Sequence, residues 1–179
     1  DEKAHISLPK DMKIFCQPVD YKTIKSFGFT NVDYIENTSR FEGIDIIRTS
    51  GQHGAGEIVN LMGEVSGLIL KHAHEKTIYW LGDTIFYSEV QKNILSHNPE
   101  VCICHAGGNA FTKTYNLFGD HFQGDSESLI MDKQQVVDLY HFDSSYLIIA
   151  THLEALDHDT VTRQALSQFA ESQGIHLNR

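Results

Sequence analysis

Three short segments place a histidine or an aspartate directly after an apolar, strand-like run. In Thr49-Ser50-Gly51-Gln52-His53-Gly54, His53 sits between glycines that let a backbone approach a ligand or ion closely. Tyr79-Trp80-Leu81-Gly82-Asp83-Thr84 releases Asp83 from a strand end, where the strand fixes the carboxylate's position. Ile148-Ile149-Ala150-Thr151-His152 ends a third run, and Glu154, Asp157 and His158 follow closely. Imidazole and carboxylate are the groups that zinc and related ions take. Each segment alone has a plainer reading: His53 as a solvated turn residue, Asp83 as a helix N-cap, His152 as structural. Three strand ends bearing His, Asp and His point together to a metal site.

Other segments carry less. His105-Ala106-Gly107-Gly108 follows a fourth apolar run, and its paired glycines could offer backbone N–H groups to an anion, or form a plain loop. Cys102 and Cys104 point to one face of that run and read as core, since no second Cys/His pair at zinc-site spacing accompanies them. His72 and His74 read as decoration of a hairpin turn rather than a metal pair. The sequence has no P-loop, no G-x-G-x-x-G and no G-x-S-x-G, so nucleotide and serine hydrolysis lack support.

The elements that must position these residues are legible from spacing. Met12–Cys16, Val32–Ile35 and Ile44–Ile47 read as strands. Val65–Leu70 and Thr77–Leu81 read as a strand pair joined by the polar 71–76 turn. Pro18 opens a helical stretch with Tyr21, Ile24 and Phe27 at three-residue spacing. Ser88–Leu95 is helical, with Ser88 as its expected cap. Val101–Cys104 and Tyr146–Ala150 are buried strands, Lys133–Tyr140 is helical, and a last helix through Val161, Ala165, Phe169 and Ala170 closes at Gly174. The first half is thus rich in antiparallel strands and the second alternates strand with helix, which predicts an α/β (α+β) fold of sheets with helices packed outside.

Size and composition bound the rest. At 179 residues, with 41% hydrophobic and 21% charged residues, the chain reads as one globular domain over 1–179. Its 14 Lys+Arg against 24 Asp+Glu give a formal charge of −10, which argues against nucleic acid as a partner and against anionic membrane surfaces. No apolar stretch is long enough for a transmembrane helix, and the polar opening Asp1-Glu2-Lys3-Ala4-His5 does not resemble a signal peptide. Three cysteines are too few and too odd a set for a disulfide framework, so a cytoplasmic setting is expected. Eleven histidines are the compositional oddity.

The ordered set Gly51-Gln52-His53-Gly54, Gly82-Asp83-Thr84, His105-Ala106-Gly107-Gly108 and His152-Leu153-Glu154-Ala155-Leu156-Asp157-His158 resembles the metallo-β-lactamase-fold hydrolases, in the branch akin to sugar-phosphate lactonases. The resemblance runs across nearly the whole chain and implies an αββα sandwich with a dinuclear metal site at one edge of its two sheets. The family's hallmark H-x-H-x-D-H does not occur in this sequence. In relatives a stretch resembling Asp1-Glu2-Lys3-Ala4 follows that hallmark, so a partial sandwich lacking the first strands, truncated at the N-terminus, is expected.

By the same resemblance His53 would bind one metal, Asp83 would bridge two, and His152 would bind the second, the ions being zinc or manganese. His158 and His105 would contact the substrate or support the ligands, and Arg163 could reach an anionic group. A metal-bound hydroxide would attack an ester, lactone or phosphoester of a small-molecule substrate. Two protein ligands per ion fall short of the three that a catalytic zinc normally takes, so weak metal binding and little activity are expected of this chain alone. Sheet edges and an apolar face without their neighbours predict self-association into a homo-oligomer. A non-catalytic interaction module on the same fold is the alternative, and a receiver-like domain built on Asp83 lacks the further strand-end acids it would need.

Overall fold

Every strand expected from the sequence forms. The computed structural model describes residues 2–113, 115–143 and 145–176. After helix α1 (Glu2–Ser7), strand β1 (Ile14–Cys16) leads through a 3-10 turn at Pro18–Asp20 and helix α2 (Tyr21–Ser26) to β2 (Val32–Tyr34). β1 and β2 pair in parallel, Ile14 against Val32 and Cys16 against Tyr34, as a strand–helix–strand crossover requires.

A six-stranded sheet follows: β3 (Thr38–Phe41), β4 (Ile44–Ser50), β5 (Ser66–Lys71), β6 (Ile78–Trp80), β7 (Val101–His105) and β8 (Leu147–Thr151), ordered in space as in sequence. β3 to β6 are antiparallel neighbours, whereas β6, β7 and β8 are parallel. Helix α3 (Val59–Met62) lies between β4 and β5, α4 (Ser88–His97) joins β6 to β7, and α5 (Lys133–Phe142) precedes β8. Helix α6 (Arg163–Ser172) follows β8.

The core sits between one face of this sheet and the helices. Ile69, Tyr79, Cys102 and Cys104 of the sheet pack with Val90 and Ile94 of α4, Val136 and Leu139 of α5 and Leu166 of α6. Alternation along β8 sends Ile148 and Ala150 into this core and leaves Leu147 and Ile149 exposed. The β1–β2 pair lies over part of the sheet, with a cavity of about 370 Å³ bounded by Phe15 and Ile35 on one side and Leu68 and Trp80 on the other. Two layers with outer helices, one layer reduced to two strands among the described residues, agree with the partial sandwich that the resemblance implies.

Three details differ from the sequence reading. Ser88 is not the cap of α4: the N-cap position is Tyr87, and no side chain caps it. The side-chain caps stand at Asp132, which accepts from the Gln135 N–H at 2.9 Å, and at Thr162, which accepts from Ala165 N–H at 3.1 Å. Strand β3 and helices α1 and α3 were not expected. The turn into β4 uses Glu42 and Gly43, both at positive φ, so a hairpin forms without the Asn-Gly signal that would announce it.

Candidate metal centre

Strand direction gathers the candidate residues. β4 and β6 are each antiparallel to β5, so they run the same way, and β7 and β8 are parallel to β6. The carboxyl ends of these four strands therefore open at one edge of the sheet, the place where sheets of this kind hold ligands. The segments leaving there carry His53, Asp83, His105 and His152 in turn.

Local ties then fix each group. Gly82 adopts φ 72°, and a Cβ there would lie 2.6 Å from the Ser66 carbonyl oxygen, so only glycine lets the chain turn this close to β5 and present Asp83. The buried Thr84 hydroxyl accepts from the Gln52 N–H at 2.9 Å, and Ile85 N–H donates to the Gln52 carbonyl at 2.9 Å, which binds the His53 loop to the Asp83 loop. His105 Nδ1 lies 2.6 Å from Asp83 Oδ1, and Trp80 Nε1–H donates to His105 Nε2 at 3.3 Å. An indole can only donate, so Nε2 is the acceptor and the ring proton sits on Nδ1, pointing at the carboxylate. His105 is thereby a buttress for Asp83.

His152 sits with its ring 5.0 Å from that of His105, and ligand atoms of Asp83, His105 and His152 lie within 4.8 Å of one another. It adopts φ 56° and Glu154 φ 58°, left-handed conformations that non-glycine residues hold only under constraint from their surroundings. That constraint is visible. Gly107 packs so closely that a Cβ there would meet the His152 carbonyl at 2.5 Å. Asp159 accepts from the N–H groups of Ala155 (2.7 Å) and Leu156 (3.2 Å) and from the Asn109 amide, pinning the loop beyond His152. The buried His152 Nδ1 has no protein partner, unusual for an interior nitrogen.

The charge states suit a cation. Burial pushes the His53 pKa down, the Asp83 carboxylate works against that, and the imidazoles of His152, His158 and His105 push it down further. The Asp83 pKa is lowered chiefly by the hydrogen bond from His105, against the effect of burial, with the charges of His105, His53 and His152 assisting. A neutral imidazole beside an ionised carboxylate is the state in which both bind metal. Nitrogen and oxygen donors so arranged fit a divalent ion of the zinc type.

Of the residues singled out from sequence, Asp83, His105 and His152 come together. His53 lies within electrostatic reach but outside that trio. His158 packs against both Phe111 and Tyr115, whose own rings lie 6.5 Å apart, in a three-ring cluster. Gly107-Gly108 does not form an open anion cradle, because the Gly108 N–H donates to the Met131 carbonyl at 3.0 Å. Arg163 is exposed and paired with Glu154 at 3.6 Å. Cys102 and Cys104 are core, each with its thiol pushed up to about 12 by burial. His72 and His74 lie in the turn between β5 and β6. Trp80, Asn109 and Asp159 escaped the sequence reading, and only the Gly107-Gly108-Asn109 run beside His105 hinted at them.

A mixed sheet with helices outside and a His/Asp cluster at its carboxyl edge is the arrangement expected of a metallo-β-lactamase-like fold. No protein-family model matches the chain. It is 36% identical over 180 residues to the UPF0173 protein YddR of Bacillus subtilis (strain 168), covering 99% of this chain and 66% of that protein. The structure of a possible metal-dependent hydrolase from Veillonella parvula DSM 2008 matches with a TM-score of 0.86 and 30% identity, over 98% of this chain and 66% of that one. That of isothiocyanate hydrolase from Delia radicum gut bacteria matches with a TM-score of 0.84 and 30% identity over the same shares. The metallo-beta-lactamase fold protein YhfI from Bacillus subtilis shares the fold at 11% identity, with a TM-score of 0.58 over 96% of this chain and 62% of that one. The chain has the metallo-β-lactamase-like fold and spans just under two thirds of the length of these relatives. Among the described residues no helix is long and apolar enough to cross a membrane.

Proposed function

We propose that the protein is a metal-dependent hydrolase in which His53, Asp83 and His152 hold divalent ions, zinc or manganese, with His105 and His158 acting beside them on a small-molecule substrate. The observation that carries this reading is the approach of Asp83, His105 and His152 ligand atoms to within 4.8 Å at the carboxyl edge of the sheet. Bound there, such ions would lower the pKa of a water to near neutrality and polarise the group under attack. The chain's own part is positioning: His105 Nδ1–H holds one Asp83 oxygen and leaves the other for an ion, and Trp80 fixes the tautomer that makes this so. His152, held by the Gly107 contact and the Asp159 ties, supplies a nitrogen beside them.

Substrates in keeping with the family are an ester, a lactone or a phosphoester, and the 30% identity to an isothiocyanate hydrolase adds that electrophile. With Asp83 shared between two ions and His53 and His152 on one each, every ion has two protein ligands where a catalytic zinc normally takes three, so this chain by itself takes up metal weakly and turns over little. The exposed Leu147 and Ile149 on edge strand β8 favour self-association. Calorimetric titration with zinc and with manganese tests the core of the reading. Binding that Asp83→Asn and His152→Gln each abolish is expected; binding indifferent to both would overturn it.

A further inference from the structure

The entry of helix α5 carries half of a capping box. Asp132 at the N-cap accepts from the Gln135 N–H at 2.9 Å, and a glutamine at this third helical position ordinarily turns its side chain back to the N-cap N–H. Here the side chain reaches across to another loop. Gln135 Oε1 accepts from the Phe86 N–H at 2.8 Å, 49 positions earlier in the chain. Phe86 stands three residues past Asp83, in the segment that leads from β6 to α4, and α4 starts without a side-chain cap of its own.

The same entry segment holds the His105 loop. Gly108 N–H donates to the Met131 carbonyl at 3.0 Å, and Leu129 N–H donates to the Asn109 carbonyl at 2.6 Å. Leu129 and Met131 are buried, and Val136 and Leu139 seat the helix itself in the core. The loops bearing Asp83 and His105, whose side chains meet at 2.6 Å, are thus both fastened to one rigid element. The Asp83 loop's other ties, from Thr84 and Ile85, run to Gln52, which lies in a loop, whereas the Gln135 tie ends on a helix. Without the Gln135 oxygen the half-buried Phe86 N–H loses its acceptor, and the loop is free to drift toward another. We infer that Gln135 is a positioning residue of the metal centre, holding the Asp83 loop on the helix that also holds the His105 loop. That the centre takes metal rests on the hydrolase reading, and the positioning on the hydrogen bonds alone.

The single tryptophan reads the result without metal. Trp80 Nε1–H donates to His105 Nε2, so its indole proton resonance reports where His105 and Asp83 stand. In metal-free protein Gln135→Ala is expected to move or broaden that resonance and, in calorimetric zinc titration, to weaken binding by about tenfold. Gln135→Met, of similar length but with no acceptor oxygen, repeats the test without opening a gap. Gln135→Glu keeps an acceptor and should return both readings to those of the unaltered protein. Gln134→Ala is the control: its exposed amide donates to Asp138 at 2.9 Å on the same helix, so its loss touches α5 and not the loop. A substitution that only destabilises the fold leaves the native indole resonance in place. An indole resonance unmoved by Gln135→Ala and Gln135→Met, no recovery in Gln135→Glu, or an equal shift in Gln134→Ala overturns the inference. Zinc bound equally well by the unaltered protein and Gln135→Ala removes this inference alone. The indole response without zinc binding by the unaltered protein keeps the positioning and removes the hydrolase.

Discussion

Replacing Gly82 by alanine tests whether the turn into Asp83 is as tight as it looks. Two costs arise. At φ 72° an alanine enters the left-handed region, which disfavours an L-residue by about 1–2 kcal/mol. Its Cβ would also lie 2.6 Å from the Ser66 carbonyl oxygen, and Ser66 cannot retreat freely because it is paired with Ser50 in the β4–β5 ladder. Overpacking of this kind costs about 1–3 kcal/mol, for a total of about 2–5 kcal/mol. Gly174→Ala is the control: φ is 76°, yet no atom lies within 4 Å of the new Cβ, so only the conformational cost applies. The entropy that alanine removes from the unfolded chain is common to both and cancels in the comparison. Urea unfolding followed by the single tryptophan, Trp80, at the end of β6 should show Gly82→Ala less stable than Gly174→Ala by about 1–3 kcal/mol at similar m. Equal losses for the two variants would mean that the Ser66 contact carries no energy and that the argument for a constrained Asp83 fails.

Further outcomes follow from the same contacts. His105→Ala strips Asp83 and Trp80 of their shared partner and should lower zinc affinity about 10- to 100-fold by calorimetry, with far-ultraviolet circular dichroism unchanged. Asp132→Ala removes the side-chain cap of α5 and should cost about 1 kcal/mol in thermal or urea unfolding. Ellman's reagent should titrate only Cys16 in the folded protein, since Cys102 and Cys104 are buried with thiols pushed up to about 12, and all three cysteines once urea unfolds the chain.

The strand-end motifs were legible because an apolar run that stops at a ligand-type residue, directly at His105 and His152 or after a glycine at His53 and Asp83, is a local pattern. Their convergence was not local. It depends on β4 and β6 sharing a direction through the intervening antiparallel β5, and on parallel β6–β7–β8 pairing, both properties of register between distant residues such as Tyr79 with Cys102 and Cys104 with Ala150. Capping divided along the same line. Asp132 and Thr162 act as caps because their backbones are extended there, whereas Ser88 already lies inside the helix, a distinction of one residue that composition does not make. Trp80 read as a strand residue, and nothing in its neighbours along the chain told that its indole N–H would set the tautomer of a histidine 25 positions on.

The arrangement separates the holding of the site from the completeness of the sandwich. The ties that orient the candidate ligands run between loops of the six-stranded sheet: Thr84 and Ile85 to Gln52, His105 to Asp83 and Trp80, Gly107 against His152, and Asp159 to Asn109, Ala155 and Leu156. None of them uses β1 or β2. The smaller layer instead meets the sheet through Gln17, which donates to the Glu64 carbonyl at 2.8 Å and accepts from the Ser66 hydroxyl at 2.7 Å. Ser66 is also the residue against which Gly82 turns, so this polar tie between the layers ends on the strand that shapes the Asp83 loop. Ligand geometry is therefore preorganised by hydrogen bonds that exist without an ion, and adding ligands to the centre would complete its coordination without having to build its frame.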